Sequence, residues 1–246
     1  MNYNNSSVIE YPLSPAQEAL WVLDKKHPDK CFYHSHFAWN VPKNIDVDLL
    51  KESLRICMLR HPSLRTVYRE NASGRICQFE QPELPLLFDV RDIGNESDED
   101  MVPFIEQELH IRHKLETDSP IRWVLFKREN KPDVLTNFLH HISMDYCSFM
   151  VMMHDLKTAY EAVLNHQEPS FLPLEKTIHE HNKQQAEFIK SPEGIAQLEF
   201  WKQEAKRMSQ TLELPTAKPR PATPSNSKKY IPFDLDANTL TSLNQF

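Results

Sequence analysis

The sequence predicts an α/β domain, and three observations carry that reading. Residues 121–126 and 134–140 are apolar, rich in strand formers, and the second segment alternates. Elsewhere apolar residues recur at helical spacing, most clearly Phe149, Met152, Met153, Leu156, Tyr160, Val163 and Leu164. At 246 residues and 40% hydrophobic, the chain can build a real core as one large or two small domains.

The elements follow in chain order. Ser14 caps a first helix, Pro15 suits its first position, and Gln17 closes a capping box. Leu20, Trp21 and Leu23 lie within it. Residues 32–39 alternate loosely and read as a strand. Asp46 caps a second helix with Leu50, Leu54, Cys57 and Met58 on one face, and Pro62 ends it. Residues 64–69 and 75–79 form a hairpin around Asn71-Ala72-Ser73-Gly74. A short strand covers 86–90. The acidic stretch 97–100 leads a third helix holding Met101, Val102, Ile105 and Leu109, a favourable charge for a helix start. The strands 121–126 and 134–140 come next, then a helix over about 148–165. Two further helical stretches run through 175–190 and 195–208. Pro215, Pro219, Pro221 and Pro224, among Ser, Lys and Thr, mark a linker. Residues 229–235 read as a strand, and Asp236 starts a helix with Leu240 and Leu243. The chain thus divides into 1–213, a crossover over 214–228, and 229–246, a further unit that is truncated.

Composition excludes several classes. The net charge is −7 with no basic stripe, which opposes nucleic-acid binding. No apolar run approaches the ~20 residues that span a bilayer, and the first residues show no signal-peptide pattern. Cys31, Cys57, Cys77 and Cys147 have no CxxC spacing and read as reduced thiols of a cytoplasmic protein. Three glycines form no phosphate-cradling loop.

Chemistry concentrates in Phe138-Leu139-His140-His141-Ile142-Ser143-Met144-Asp145. Imidazole both accepts and donates a proton near neutral pH. Side chains on a strand alternate between faces, so one of His140 and His141 enters a site and the other packs or hydrogen-bonds behind it. That opposes a paired-His metal site, and the change of period after Asp145 places the motif on a strand-to-helix turn. Cys147 reads as a buried structural thiol, and Ser148 lacks the glycines of a nucleophile elbow. His179 and His181 read as exposed residues of a polar helix, and the Met/Phe stripe over 149–156 as plain core.

Three stretches carry a family resemblance. Ser14-Pro15-Ala16-Gln17-Glu18-Ala19-Leu20-Trp21-Val22-Leu23 resembles SxAQxxLWxL. Arg60-His61-Pro62-Ser63-Leu64-Arg65-Thr66-Val67-Tyr68 is similar to RHxxLRTxF, with Tyr68 for Phe. His140-His141-Ile142-Ser143-Met144-Asp145-Tyr146 resembles HHxxxDG, with Tyr146 for Gly. Weaker likeness lies in Phe200-Trp201-Lys202 and Leu212-Glu213-Leu214-Pro215-Thr216. Together they resemble the N-terminal lobe of the condensation domain of nonribosomal peptide synthetases, a chloramphenicol-acetyltransferase-like fold.

The resemblance implies an α+β sandwich lobe with a mixed, mostly antiparallel sheet and packed helices. It implies amide formation between a carrier-bound acyl or peptidyl thioester and a carrier-bound aminoacyl group. His141 is then catalytic, as general base or by orienting and supporting the transition state. His140 supports the turn, and Asp145 is structural, paired with Arg65. Tyr146 either swings aside or narrows the tunnel that the family forms between its lobes. No metal or diffusible cofactor is implied, since phosphopantetheine belongs to the partner carrier proteins. The missing C-terminal lobe is a further partner, without which this lobe is expected to be inactive. A free-standing acyltransferase and a non-catalytic docking lobe are the alternative readings.

Overall fold

Local capping chemistry and strand pairing place each element in the computed structural model, which describes residues 9–208, 212, 215, 216, 218, 219 and 233–246. Strand β1 (Ile9–Pro12) leads into helix α1 (Pro15–Lys26). The capping box forms: Ser14 Oγ accepts the Gln17 N–H, and Gln17 Oε1 accepts the Ser14 N–H. After β2 (His34–Val41), Asp46 caps α2 (Val47–Arg60) through the N–H groups of Asp48 and Leu49. Pro62 then opens a 3-10 turn, Pro62–Arg65. Strands β3 (Thr66–Glu70) and β4 (Ile76–Glu80) form the expected hairpin. Asn71 Oδ1 accepts the N–H groups of Ser73 and Arg75 there, and Gly74 adopts φ of 75°. Then come β5 (Phe88–Asp92), α3 (Val102–Leu109), β6 (Ile121–Lys127), β7 (Asp133–His140), α4 (Tyr146–Leu164), α5 (Ile178–Lys190), α6 (Pro192–Arg207) and α7 (Ala237–Gln245). Among the described residues no helix is long and apolar enough to cross a membrane.

The described strands form two sheets rather than one. One has the order β1-β4-β3 and is antiparallel. The other has the order β2-β7-β6-β5, antiparallel except for the parallel β5–β6 pair. Strand β1 escaped the sequence reading because four residues carry too short a pattern. Of the strand expected over 229–235, residues 233–235 are not strand, and the rest lies outside the described residues.

Strand β7 is buried at all eight positions. Its odd-numbered Leu135 and Leu139 join Ile121, Trp123 and Leu125 of β6 in a core with Leu50, Leu54 and Met58 of α2 and Phe149, Met152 and Leu156 of α4. Its even-numbered Val134 and Phe138 join Val124 and Phe126 against Met101, Phe104 and Ile105. The sheet is therefore covered on both faces. Parity sends the last strand residue, His140, to the α3 side, and the next position toward the start of α4.

The chain forms two compact units, Met1–Leu198 and Glu199–Phe246. The expected boundary at 213–214 and nearly all of the 214–228 crossover lie outside the described residues. In the second unit Asp236 caps α7 through the N–H groups of Asn238 and Thr239.

Candidate functional site

The two histidines of the motif separate as strand parity requires. His140 is only 1% exposed, its ring edge-on to His34 at 5.5 Å between centroids. Its Nδ1 accepts the Ile142 N–H at 3.1 Å, so the neutral ring carries its proton on Nε2. Burial pushes the pKa of His140 down to about 3, aided by the neighbouring His34, His141 and Arg112. His141 lies just past the strand and is exposed.

The turn that carries His141 is tied from several elements. The His141 N–H donates to the Tyr33 carbonyl at 2.9 Å. The N–H and hydroxyl of Ser143 both donate to the His140 carbonyl, at 3.1 and 3.0 Å. The Ile142 carbonyl accepts from Gln17 Nε2 at 3.1 Å and from the Tyr68 hydroxyl at 3.4 Å. Preorganisation of this kind fixes the base of a functional side chain while its ring faces solvent. Gln17 and Tyr68 were not read as site residues from sequence. Their places in the first two motifs are the signal that points to them.

The expected Asp145–Arg65 pair does not form. Asp145 is the N-cap of α4: its Oδ1 accepts the Ser148 N–H at 2.8 Å and the Ser148 hydroxyl at 2.7 Å. Those two bonds, the backbone one first, hold its carboxyl below the usual range. Arg65, at the end of the 3-10 turn, pairs instead with Glu80 on β4 at 2.8 Å and donates to the Gln81 carbonyl at 2.6 Å. The physical reason is proximity. Arg65 directly precedes Thr66, which stands opposite Glu80 in the hairpin, while the helix start already satisfies Asp145. The other arginine of that motif, Arg60, and His61 both meet buried Asp155 on α4, at 2.6 and 2.9 Å.

Tyr146 is the first residue of α4 and 62% exposed, its ring tilted beside Phe37 and Phe149. Its φ is not positive, so the backbone here has no need of glycine. Cys147 is exposed rather than buried. Two residues before Phe149, it lies about 200° around the helix from the packed face. His179 is likewise not exposed: it is buried, stacked on Tyr11 at 3.7 Å and 3.3 Å from Glu80 Oε2. His181 is exposed. A cavity of about 350 Å³ opens beside the turn, lined by Ser143, Met144, Ser148, His61, Lys176 and His181.

Behind the turn, Asp24, His34 and His140 bring ligand-type atoms within 4.8 Å of one another. The donor set does not suit a metal. A metal on Nε2 of His140 requires the proton on Nδ1, and Nδ1 already accepts the Ile142 N–H. Asp24 Oδ2 is held by Arg112 at 2.6 Å. The cluster is a buried polar layer that supports His140.

The comparisons with known proteins now fit onto this geometry. The condensation-domain model matches residues 8–246. The chain is 30% identical over 234 residues to a probable nonribosomal peptide synthetase of Salinispora arenicola, CymA, covering 92% of this chain and 3% of that protein. Among solved structures it is similar to the X-domain in its complex with OxyB from teicoplanin biosynthesis, at a TM-score of 0.74 and 24% identity. That match covers 88% of this chain and 48% of the other. The first condensation domain of the calcium-dependent antibiotic synthetase superposes at a TM-score of 0.68 and 15% identity, over 75% of this chain and 44% of that one. These neighbours share the mixed, mostly antiparallel fold, and the chain spans less than half of their length. With the match running through both units, the chain belongs to the condensation-domain family.

Proposed function

We propose that this chain supplies the His141 half of a site that forms an amide bond between two carrier-tethered substrates. The donor is an acyl or peptidyl thioester and the acceptor is an aminoacyl group. Both ride on phosphopantetheine arms of carrier-protein partners, and the chain itself contributes no metal or diffusible cofactor. The acceptor amine attacks the thioester carbonyl, the C–N bond forms, the C–S bond breaks, and the carrier thiol leaves with a proton. His141 acts on the attacking nitrogen, either taking its proton or orienting it and supporting the charge of the tetrahedral state. The observation that carries this reading is the split of the pair: His140 is buried and committed to the turn, while His141 is presented to solvent on a braced backbone.

The test uses the full-length synthetase with loaded carriers, because this chain covers under half of the solved relatives. General acid–base participation predicts a loss of about 10²–10⁴-fold for His141→Ala. An unchanged rate removes His141 from the chemistry. Tyr146 sits five residues along, at the mouth of the same turn. If its ring narrows access, Tyr146→Gly raises the rate; an unchanged rate means that the ring stays aside.

A second reading has one observation in its favour. The X-domain that this chain resembles is found in complex with OxyB, so this fold also serves as a docking partner. Under that reading His141→Ala leaves synthesis intact.

A further inference from the structure

We propose that Gln17 and Tyr68 are positioning residues that set the aim of His141 by holding the carbonyl of Ile142. The inference rests on the reading of His141 given above. Gln17 is the third residue of α1 and 7% exposed, and all four hydrogen-bonding positions of its amide are used. Oε1 accepts from the Ser14 N–H at 3.0 Å and from Asn182 Nδ2 at 2.9 Å. Nε2 reaches the Ile142 carbonyl at 3.1 Å and Gln78 Oε1 at 3.5 Å.

The orientation of this amide is forced. A backbone N–H can only donate, so the atom facing Ser14 is oxygen. Gln78 is forced in the same way, because its Nε2 faces the Pro12 carbonyl at 2.8 Å, which can only accept. Two N–H bonds of Gln17 are thereby directed at two oxygens, one of them in the catalytic turn. Tyr68, 1% exposed on β3, adds its hydroxyl to the same carbonyl at 3.4 Å. Tyr68 stands where the pattern RHxxLRTxF has Phe, and a Phe there would offer no such donor. Asn182 extends the network to α5.

The carbonyl of Ile142, one residue past His141, is thus clamped by α1 and β3, and the N–H of His141 itself is held by the Tyr33 carbonyl. Small errors of placement matter at such a point: a misplacement of about 1 Å can cost about 10²-fold in rate. Gln17 is also the capping-box residue, but that role uses only Oε1. The two jobs can therefore be separated by substitution.

Gln17→Glu keeps the acceptor for Ser14 and Asn182 and replaces the donor with an oxygen against Ile142 and Gln78. In the full-length synthetase, kcat is expected to fall about 10²-fold with the KM for loaded carriers unchanged. Burial against two oxygens raises the new carboxyl's pKa, and its protonated form donates again. The deficit relative to wild type therefore shrinks as pH falls. Tyr68→Phe, the milder variant, is expected to lower kcat about 3–10-fold at unchanged KM, the size of one lost hydrogen bond. Amide exchange at Ile142 and Ser143 should quicken in both variants. Unchanged kcat and exchange in both, with His141→Ala inactive, overturns the positioning role and leaves His141 standing. Unchanged activity in His141→Ala overturns the reading on which the inference rests, whatever the exchange shows.

Discussion

Asp145 spends its carboxylate on the first turn of its own helix, and that sets what it can do for the residue four places before it. An N-cap needs an acceptor rather than a charge. Asp145→Ser should keep the domain's stability within a few tenths of a kcal/mol, and Asp145→Ala should lose about 1 kcal/mol in denaturant titration. A loss of several kcal/mol on Asp145→Ala would mean a partner beyond Ser148. The relation to Arg65 is tested by a double-mutant cycle. Arg65 and Asp145 share no partner, so their Ala substitutions should add to within about 0.5 kcal/mol. Arg65 and Glu80 touch at 2.8 Å with both side chains mostly buried, and should show coupling above that level. The sequence placed the motif on its strand-to-helix turn and read one pairing wrongly. Motif spacing says which residue types recur, but not which of several nearby carboxylates an arginine side chain meets first. Glu80 lies outside all three motifs and carries no signal of its own.

At the scale of elements, the periodic signals placed α1, α2, α4 and the β3–β4 hairpin, because each combines a cap or turn residue with an apolar face. What they left out depends on partners distant in sequence. His179 reads as one more polar residue of α5 until Tyr11 of β1 stacks on it. Cross-element ties of this kind predict large effects. Asp155 on α4 accepts Arg60 and His61 of the neighbouring segment. Burial raises its pKa, and the hydrogen bond and charge of Arg60, with the contact from His61, outweigh that and hold it below the usual range. Asp155→Ala leaves Arg60 without its carboxylate and should cost about 3–5 kcal/mol. The corner between α5 and α6 is a second case. A Cβ on Gly194 would lie 2.1 Å from the Phe188 carbonyl oxygen, a backbone atom that cannot step aside cheaply. Replacing a helical Gly with Ala normally gains about 1 kcal/mol. Here Gly194→Ala should destabilise, and a gain in Tm would show that the corner opens freely.

Across the whole molecule, the fold class followed from the alternation of strand and helix patterns, whereas the polar interior did not. The alternation of residues 134–140 does not say that both faces of β7 are covered. The even-numbered face therefore gathers imidazoles that lie far apart in sequence. His34, His113 and His140 sit together, His34 ring to ring with His113 at 5.0 Å and with His140 at 5.5 Å, near Asp24, Arg112 and Arg122. Burial comes first and neighbouring positive charge second in holding His113 and His140 down at about 3. His34 is lowered by burial as well. In the unfolded chain each returns to about 6.5. Between those values the unfolded chain binds protons that the folded one refuses, so stability falls as pH falls. This contribution is fully present above about pH 6.5, and each refused proton removes about 1.4 kcal/mol per pH unit below it. Unfolding measured from pH 7.5 to 5 should show that decline before carboxylates begin to titrate. His113→Gln, which takes one imidazole out of the cluster without touching the turn, should flatten it by about one proton. A slope that is zero through this window, or unchanged in His113→Gln, would place these rings in water rather than in the core that braces His141.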